Sequence, residues 1–404
     1  MEKIVNIRLM NHIEANSLLS PYQYDFRKMR SAPDSLIRLS SDIAEALAER
    51  QQLVCVFFDM EKAYDTTWRY GILKAVYECG IRGHLAYFIV NFLRNRQFRV
   101  KVVNTYSSVH LQEEGVPQGS VLSCCLFALA INEITTCLPH GVKCSLYVDD
   151  FMIYAASRYL PAIERRLQIA INNITRWTTS HGFTISEEKT IAVNFNRKRN
   201  HTEPNLTIGG RMLLVRPTAK FLGLTFDEKF TWAPHIRNLK LATTKKLQIL
   251  RSVSHQKWGA DRVTMLRLYR ALIRSKLDYG CMIYGTAKDG LLGSLDPVHN
   301  AALRLCTGAF RSSPVVSLYS DGGEIPLSER RMQLTLQFYS HIELLPTSPT
   351  YHCLHSNPLE LSVRSTFASK VHSVLSMLNM TKFKITPVTI RDTPIWNQST
   401  ELKT

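Results

Sequence analysis

Apolar and polar positions recur along this chain with two periods, and the periods divide it into elements. The first fifty residues read as helix and loop. From 34 to 50, Leu36, Ile37, Leu39, Ile43, Ala44 and Leu47 recur at a helical spacing. A compact run, Leu53-Val54-Cys55-Val56-Phe57-Phe58, follows and ends at Asp59. Six residues rich in β-branched and aromatic types predict a buried strand. Residues 70 to 95 predict helix, broken at Gly80 to Gly83. Val121 to Ile134 is helical in pattern, after a loop from Glu113 to Ser120. Cys144 to Ala155 predicts a β-hairpin with Asp149-Asp150 at its turn. Residues 159 to 181 return to helix, and Phe183 to Ile185 and Thr190 to Phe195 to strand. Farther on, Leu247, Leu250 and Val253, then Val263, Leu266, Tyr269, Leu272 and Ile273 recur mostly at three and four. After Arg311 the pattern weakens.

Charge changes this picture. The 404 residues hold 50 Lys and Arg against 33 Asp and Glu, a formal +17. Such an excess suggests a polyanionic partner, nucleic acid or an acidic membrane. Arg237 to Lys276 carries eleven Lys and Arg and one acid, Asp261, which is +10 of the +17. Those helices present either a phosphate-binding surface or a solvated face. The longest apolar stretch, Val121 to Ile131, is interrupted by Ser123 and is shorter than the roughly 20 residues a membrane helix needs. No apolar leader follows Met1, so the nine cysteines are expected to be reduced and intracellular. Cys124-Cys125 are adjacent, and Cys137 and Cys144 are seven apart. Neither spacing suits zinc, and buried small hydrophobes are the expectation.

The chemistry lies in the carboxylates. Two apolar strands ninety positions apart deliver Asp59 and the pair Asp149-Asp150 to their ends. Hard cations such as Mg²⁺ prefer carboxylate oxygens with phosphate and water. Two such ions can stabilise the attacking and leaving oxygens of a phosphoryl displacement. A lone Asp after a strand is ordinarily a turn residue. Adjacent carboxylates at a hairpin turn repel unless a cation neutralises them.

At these residues a family resemblance appears. Phe57-Phe58-Asp59-Met60-Glu61-Lys62-Ala63-Tyr64-Asp65 resembles the first catalytic motif of reverse transcriptases. Gly115-Val116-Pro117-Gln118-Gly119-Ser120 resembles their template-and-nucleotide helix start, and Tyr147-Val148-Asp149-Asp150 their second metal-binding motif. Gly182 to Lys189-Thr190 is similar to the motif after it, and Phe221-Leu222-Gly223 to the primer grip. Five motifs stand in family order over about 170 residues. A fainter likeness runs through Ser275-Lys276-Leu277-Asp278-Tyr279-Gly280, and the whole is similar to non-LTR, LINE-type elements, particularly jockey-like and I-like ones.

The resemblance implies an α+β right-hand polymerase: truncated fingers at 1–52, a palm at 53–234 with helices on one side of its sheet, a helical thumb at 235–312 and a connector at 313–404. It implies RNA-directed DNA synthesis, with an RNA template, a DNA primer, dNTPs, two Mg²⁺ ions (or Mn²⁺) and no membrane. Asp59, Asp149 and Asp150 would hold the metals. Tyr64 would be a steric gate under the deoxyribose, or an ordinary core tyrosine. Gln118 and Gly119 would meet the nascent base pair. Lys189 would protonate the leaving pyrophosphate, or is a solvated lysine. Phe221, Leu222 and Gly223 would position the primer end, and Lys245, Lys246 and Arg251 would contact phosphates. Residence in nucleus and cytoplasm as a ribonucleoprotein follows from the same likeness.

Two departures qualify it. Asp25, in Gln23-Tyr24-Asp25-Phe26-Arg27, stands where the family usually has glycine. Basic fingers residues that grip the triphosphate in the family precede this motif, which lies about twenty residues from Met1. Arg27 and Arg30 are the available substitutes, with Asp25 opposing them. The expectation is weak nucleotide binding and low turnover. The rival readings are a nucleic-acid-binding remnant that keeps the basic thumb, and an unrelated two-metal nuclease or phosphotransferase. The terminal Asp392-Thr393-Pro394-Ile395-Trp396 resembles a connector found in some relatives.

Overall fold

Six apolar residues in a row satisfy a strand only when both of its faces are covered. That is the environment of β1 (Gln52–Phe58), the centre of a five-stranded sheet. A computed structural model describes residues 1–199, 201–255, 257–356 and 366–380; the Asp392–Trp396 segment lies outside these. Ahead of β1 come α1 (Glu2–Ala15) and α2 (Ala32–Ala48). After it come α3 (Ala63–Thr66), α4 (Arg69–Glu78) and α5 (Gly83–Leu93). A small hairpin of β2 (Gln97–Phe98), β3 (Lys101–Val102), β4 (Thr105–Tyr106) and β5 (His110–Leu111) leads to α6 (Val121–Ile131).

The acidic hairpin is β6 (Lys143–Tyr147) and β7 (Asp150–Ser157), followed by α7 (Leu160–Ser180) and β8 (Ile191–Phe195). The short pair β9 (Thr207–Ile208) and β10 (Arg211–Met212) precedes the edge strand β11 (Leu214–Val215). The order in the sheet is β11-β8-β1-β7-β6; β1 runs antiparallel to β7 and β8, and β11 parallel to β8. Phe183–Ile185 forms no strand, only an isolated bridge from Ile185 to Met60.

Alternation along β1 sends residues to two cores. Val54, Val56 and Phe58 pack with α1 and α4 to α7. Leu53, Cys55 and Phe57 pack with α2 on the opposite face. The expected one-sided sheet is therefore covered on both sides. Nor does α2 stand among the fingers: it is the floor of the sheet and is buried nearly all round. Its polar residues find partners there. Asp42 accepts from Tyr154 Oη at 2.5 Å and Lys143 Nζ at 2.8 Å, and the Arg38 guanidinium lies 4.2 Å from the Tyr22 ring centre.

The second core runs on without a break. The hairpin β12 (Thr218–Phe221) and β13 (Leu224–Asp227) leads to α8 (Ala233–Val253) and α9 (Arg262–Tyr269). A single π-helical stretch, Arg270–Arg274, joins α9 to α10 (Ser275–Asp278). Then come α11 (Cys281–Tyr284), α12 (Asp289–Gly293) and α13 (Asp296–Thr307). The weakly patterned region beyond 311 is helical too, as α14 (Val315–Gly322), α15 (Leu327–Glu343), α16 (Pro349–Ser356) and α17 (Phe367–Met377). Leu318, Leu327, Tyr339, Leu354 and Phe367 belong to the same core as α2. All nine cysteines are free thiols. Among the described residues no helix is long and apolar enough to cross a membrane.

Candidate active site

Asp59 is the first residue past β1. The β1–β7 register sets Phe58 opposite Phe151, so Asp59 and Asp150 follow at the same end of the sheet. Asp149 sits in the two-residue turn between Tyr147 and Asp150, with Val148 at φ 57°. The loop after α7 braces this end. Asp59 N–H donates to Thr190 Oγ1 at 3.3 Å, and Ser186 N–H donates to the Asp59 carbonyl at 2.8 Å. That loop also carries Lys189, largely exposed, with Nζ 3.8 Å from Asp59 Oδ1.

Asp150 is open to solvent on one side. Even so, the protein packed around its carboxyl, then the charges of Asp149 and Asp59, push it up to about 6. The three carboxylates thus share one field. Among the described residues no three Asp, Glu, His or Cys side chains are yet gathered into a metal-holding group. The donor set still fits Mg²⁺, which takes one or two carboxylates and fills its shell with phosphate and water.

Asp25 and Arg27 are placed differently from the expectation. Residues 22–24 lie along the free edge of β6: Tyr24 N–H donates to Leu146 O at 3.1 Å, and Leu146 N–H to Tyr22 O at 3.0 Å. This puts Asp25 beneath the acidic turn, 1% exposed, with neither carboxyl oxygen hydrogen-bonded. Burial raises its pKa, and the nearby Val148 N–H opposes the rise. Asp25 is therefore a buried neighbour of the turn, not a surface charge facing an incoming anion. Arg27 grips Glu14 through two bonds, at 2.7 and 2.8 Å, and is unavailable to a triphosphate.

Tyr64 stacks on Phe127 with ring centres 4.4 Å apart. Its hydroxyl is raised first by burial, then by Cys124, Asp25 and Asp149, so the ring reaches the carboxylates' field. Together with Gly119, Ser120 and Phe26 it lines a cavity of about 360 Å³. Gly115 holds this arrangement. Its φ is +73°, and a Cβ there would stand 2.5 Å from Asp65 O and 2.6 Å from Tyr64 O. Val116 N–H donates to Tyr64 O at 2.9 Å. Gln118 is exposed and donates through Nε2 to Asp65 Oδ1 at 3.0 Å. Sequence reasoning quoted Asp65 but gave it no role; a partner 53 residues away leaves no local trace.

Phe221 is buried against Phe57, with ring centres 5.4 Å apart. The turn that follows puts Leu222 at φ 43° and Gly223 at +82°. Tyr279, from the end of α10, caps this turn. Its hydroxyl donates to Leu222 O at 2.7 Å, and its ring would meet a Cβ on Gly223 at 2.9 Å. Burial first, then Tyr147 and Asp150, raise the Tyr279 hydroxyl, which therefore lies within the field of the acidic turn. Lys245 and Arg251 are exposed on α8 and Lys246 is half-buried. Not all of the basic segment is free for phosphates, because Arg270 and Arg274 both bond the buried Glu324 at 2.7 Å.

A family model described as reverse transcriptase (RNA-dependent DNA polymerase) matches residues 1–226. The RNA-directed DNA polymerase from mobile element jockey of Drosophila melanogaster is 26% identical over 315 residues, which is 76% of this chain and 34% of that protein. The probable RNA-directed DNA polymerase from transposon BS of the same organism is 25% identical over 313 residues, again 76% and 34%. The chain spans about a third of the length of these relatives. Among solved structures, apo telomerase from Candida tropicalis covers 93% of this chain and 58% of its own, with a TM-score of 0.46 at 12% identity. Telomerase from Candida albicans in complex with a TWJ fragment of telomeric RNA gives 0.45 at 12%, with the same coverage.

Proposed function

Because the chain belongs to the reverse transcriptase (RNA-dependent DNA polymerase) family, we propose that it is the polymerase core of a non-LTR retrotransposon. In this reading it extends a DNA primer on an RNA template. The primer 3′-hydroxyl attacks the α-phosphate of a dNTP, and pyrophosphate leaves. One observation carries the reading: the β1–β7 register and the β6–β7 turn bring Asp59, Asp149 and Asp150 to one end of the sheet.

Reverse transcriptases use divalent metal ions. Here Asp59 and Asp149 would hold two Mg²⁺ (or Mn²⁺), with Asp150 completing the set. Bound there, the ions would offset charge on the transferring phosphoryl group. The remaining work falls to the chain itself. Tyr64, fixed by Phe127, excludes a 2′-hydroxyl from the sugar's place. Gly119 lines the cavity beside Tyr64, and Gln118 and Gly119 meet the nascent pair. Lys189, beside Asp59, donates a proton to the leaving pyrophosphate. Phe221, Leu222 and Gly223 seat the primer end. Lys245, Lys246 and Arg251 neutralise phosphates without reading sequence. The same reading has the protein inside the cell as a ribonucleoprotein, in nucleus and cytoplasm.

The test is primer extension on an RNA template with purified protein and Mg²⁺. Extension is expected in the natural chain and is lost in Asp149→Asn, with RNA affinity within about twofold. Tight RNA binding with no product would replace this reading with that of a nucleic-acid-binding remnant.

A further inference from the structure

Between Glu78 and Glu113 the chain carries five Lys and Arg and not one acid. Four of them, Arg94, Arg96, Arg99 and Lys101, stand within eight residues at the end of α5 and along the β2–β5 hairpin. This hairpin is also where aromatic and aliphatic side chains are left in water. Phe98 is 48% exposed, Tyr106 57% and Val103 85%. Isolated apolar side chains on a surface need no explanation, but a run of them on one ribbon does.

The rings and the cations are interleaved. Lys101 lies directly across the ladder from Tyr106, with Nζ 5.3 Å from the ring centre. Phe98 faces His110 across the other ladder, 5.7 Å between centres. At the base, Gln112 N–H donates to Arg96 O at 2.8 Å, and the chain runs straight on into the loop bearing Gln118. Arg69, which donates to Gly115 O at 3.0 Å, anchors that loop and extends the positive strip towards it.

We propose that this hairpin is a stacking platform for the unpaired template strand ahead of the Gln118 loop. It rests on the polymerase reading and adds a surface to it. The charge selects a polyanion. The exposed rings select single strands over duplex, because paired bases stack on each other, whereas unpaired bases stack on aromatic side chains. An acidic membrane or protein could use both the cations and the rings, but neither would distinguish an unpaired overhang from a blunt end, which the experiment below does.

The experiment measures binding of two primer–template duplexes, one blunt and one with an unpaired template overhang of eight nucleotides. Natural chain, Phe98→Ala/Tyr106→Ala and Arg99→Gln/Lys101→Gln are compared. All four side chains are exposed, and circular dichroism confirms that the variants fold. The natural chain should bind the overhang substrate more tightly than the blunt one. Loss of the two rings should weaken overhang binding by about tenfold, given the usual range for stacking on an aromatic residue, and leave blunt binding within about twofold. Loss of the two cations should flatten the log–log salt slope by about 1.4 for the overhang only, at roughly 0.7 per single-strand phosphate. Equal losses on both substrates, or none, would overturn the proposal while leaving the polymerase reading intact. No binding of either substrate by the natural chain would overturn both.

Discussion

Asp150 shows what the three carboxylates cost one another without a cation. Its carboxyl is held near 6 by its surroundings and then by Asp149 and Asp59, against about 3.9 in an unfolded chain. A folded pKa above the unfolded one means that the native state holds its proton longer. Stability therefore falls as pH rises from about 4 to 6, and the burden is fully present above that window. Asp150→Asn removes it. In EDTA, the variant should melt above the natural chain at pH 8, and the gain should shrink to nothing by about pH 4. A pH-independent difference would mean that neither burial nor the neighbours' charges raise this group. Such a site was legible in sequence because each aspartate follows an apolar strand, and strand ends are where a sheet delivers side chains to a cleft. Asp25 was not. Nothing local says that residues 22–24 pair with the edge of β6, and that pairing buries the carboxyl beneath the turn.

Among elements, the contact of Tyr279 with the Leu222–Gly223 turn would, in the proposed reading, decide how firmly a primer end is held. Leu222 is a branched residue at φ 43°, a conformation such residues rarely adopt. Something must hold it there, and Tyr279 does so through one hydrogen bond and one ring face. Tyr279→Phe keeps the ring and loses the bond. A bond of this kind contributes about 0.5–1.5 kcal/mol, so the Kd for primer–template should rise roughly 2- to 13-fold with little change in Tm. An unchanged Kd would show that the turn holds its shape alone. The main strands and helices could be read from period and length, since α7 and the β6–β7 hairpin repeat one period over many residues and β1 is a compact apolar run of strand length. The interruptions could not. The π stretch at Arg270–Arg274 leaves the 3–4 spacing of apolar residues almost intact, and Phe183–Ile185 reads as strand but, beyond the end of α7, pairs along its backbone only with Met60 and Glu61. The basic count misled for a related reason: sequence shows charges but not their partners, and Glu324, fifty residues from Arg274, takes two of the arginines.

At the scale of the whole molecule, the boundaries that the resemblance implied at 52, 234 and 312 do not divide the core. Helix α2 lies under the sheet, the thumb helices continue from its face, and α15 to α17 close back onto the same apolar cluster. Patterning after Arg311 is weak because polar Thr335, Ser348 and Thr350 are buried there while apolar Val316, Ile325 and Leu344 are exposed. The arrangement makes a prediction that a separate connector would not. Leu354, in α16, is 5% exposed and belongs to the cluster that contains Leu36, Leu39 and Phe57. Leu354→Ala should cost about 2–5 kcal/mol, the usual range for a large core residue cut to alanine. That loss should appear in the palm and not only in the C-terminal helices, because α2 and β1 share the cluster. Hydrogen exchange can locate it: amides of α2 and β1 should lose protection together with those of α16. If only α16 and α17 exchange faster, they unfold as a local unit, and residues 313–380 are an appendage resting on the palm instead of part of its core.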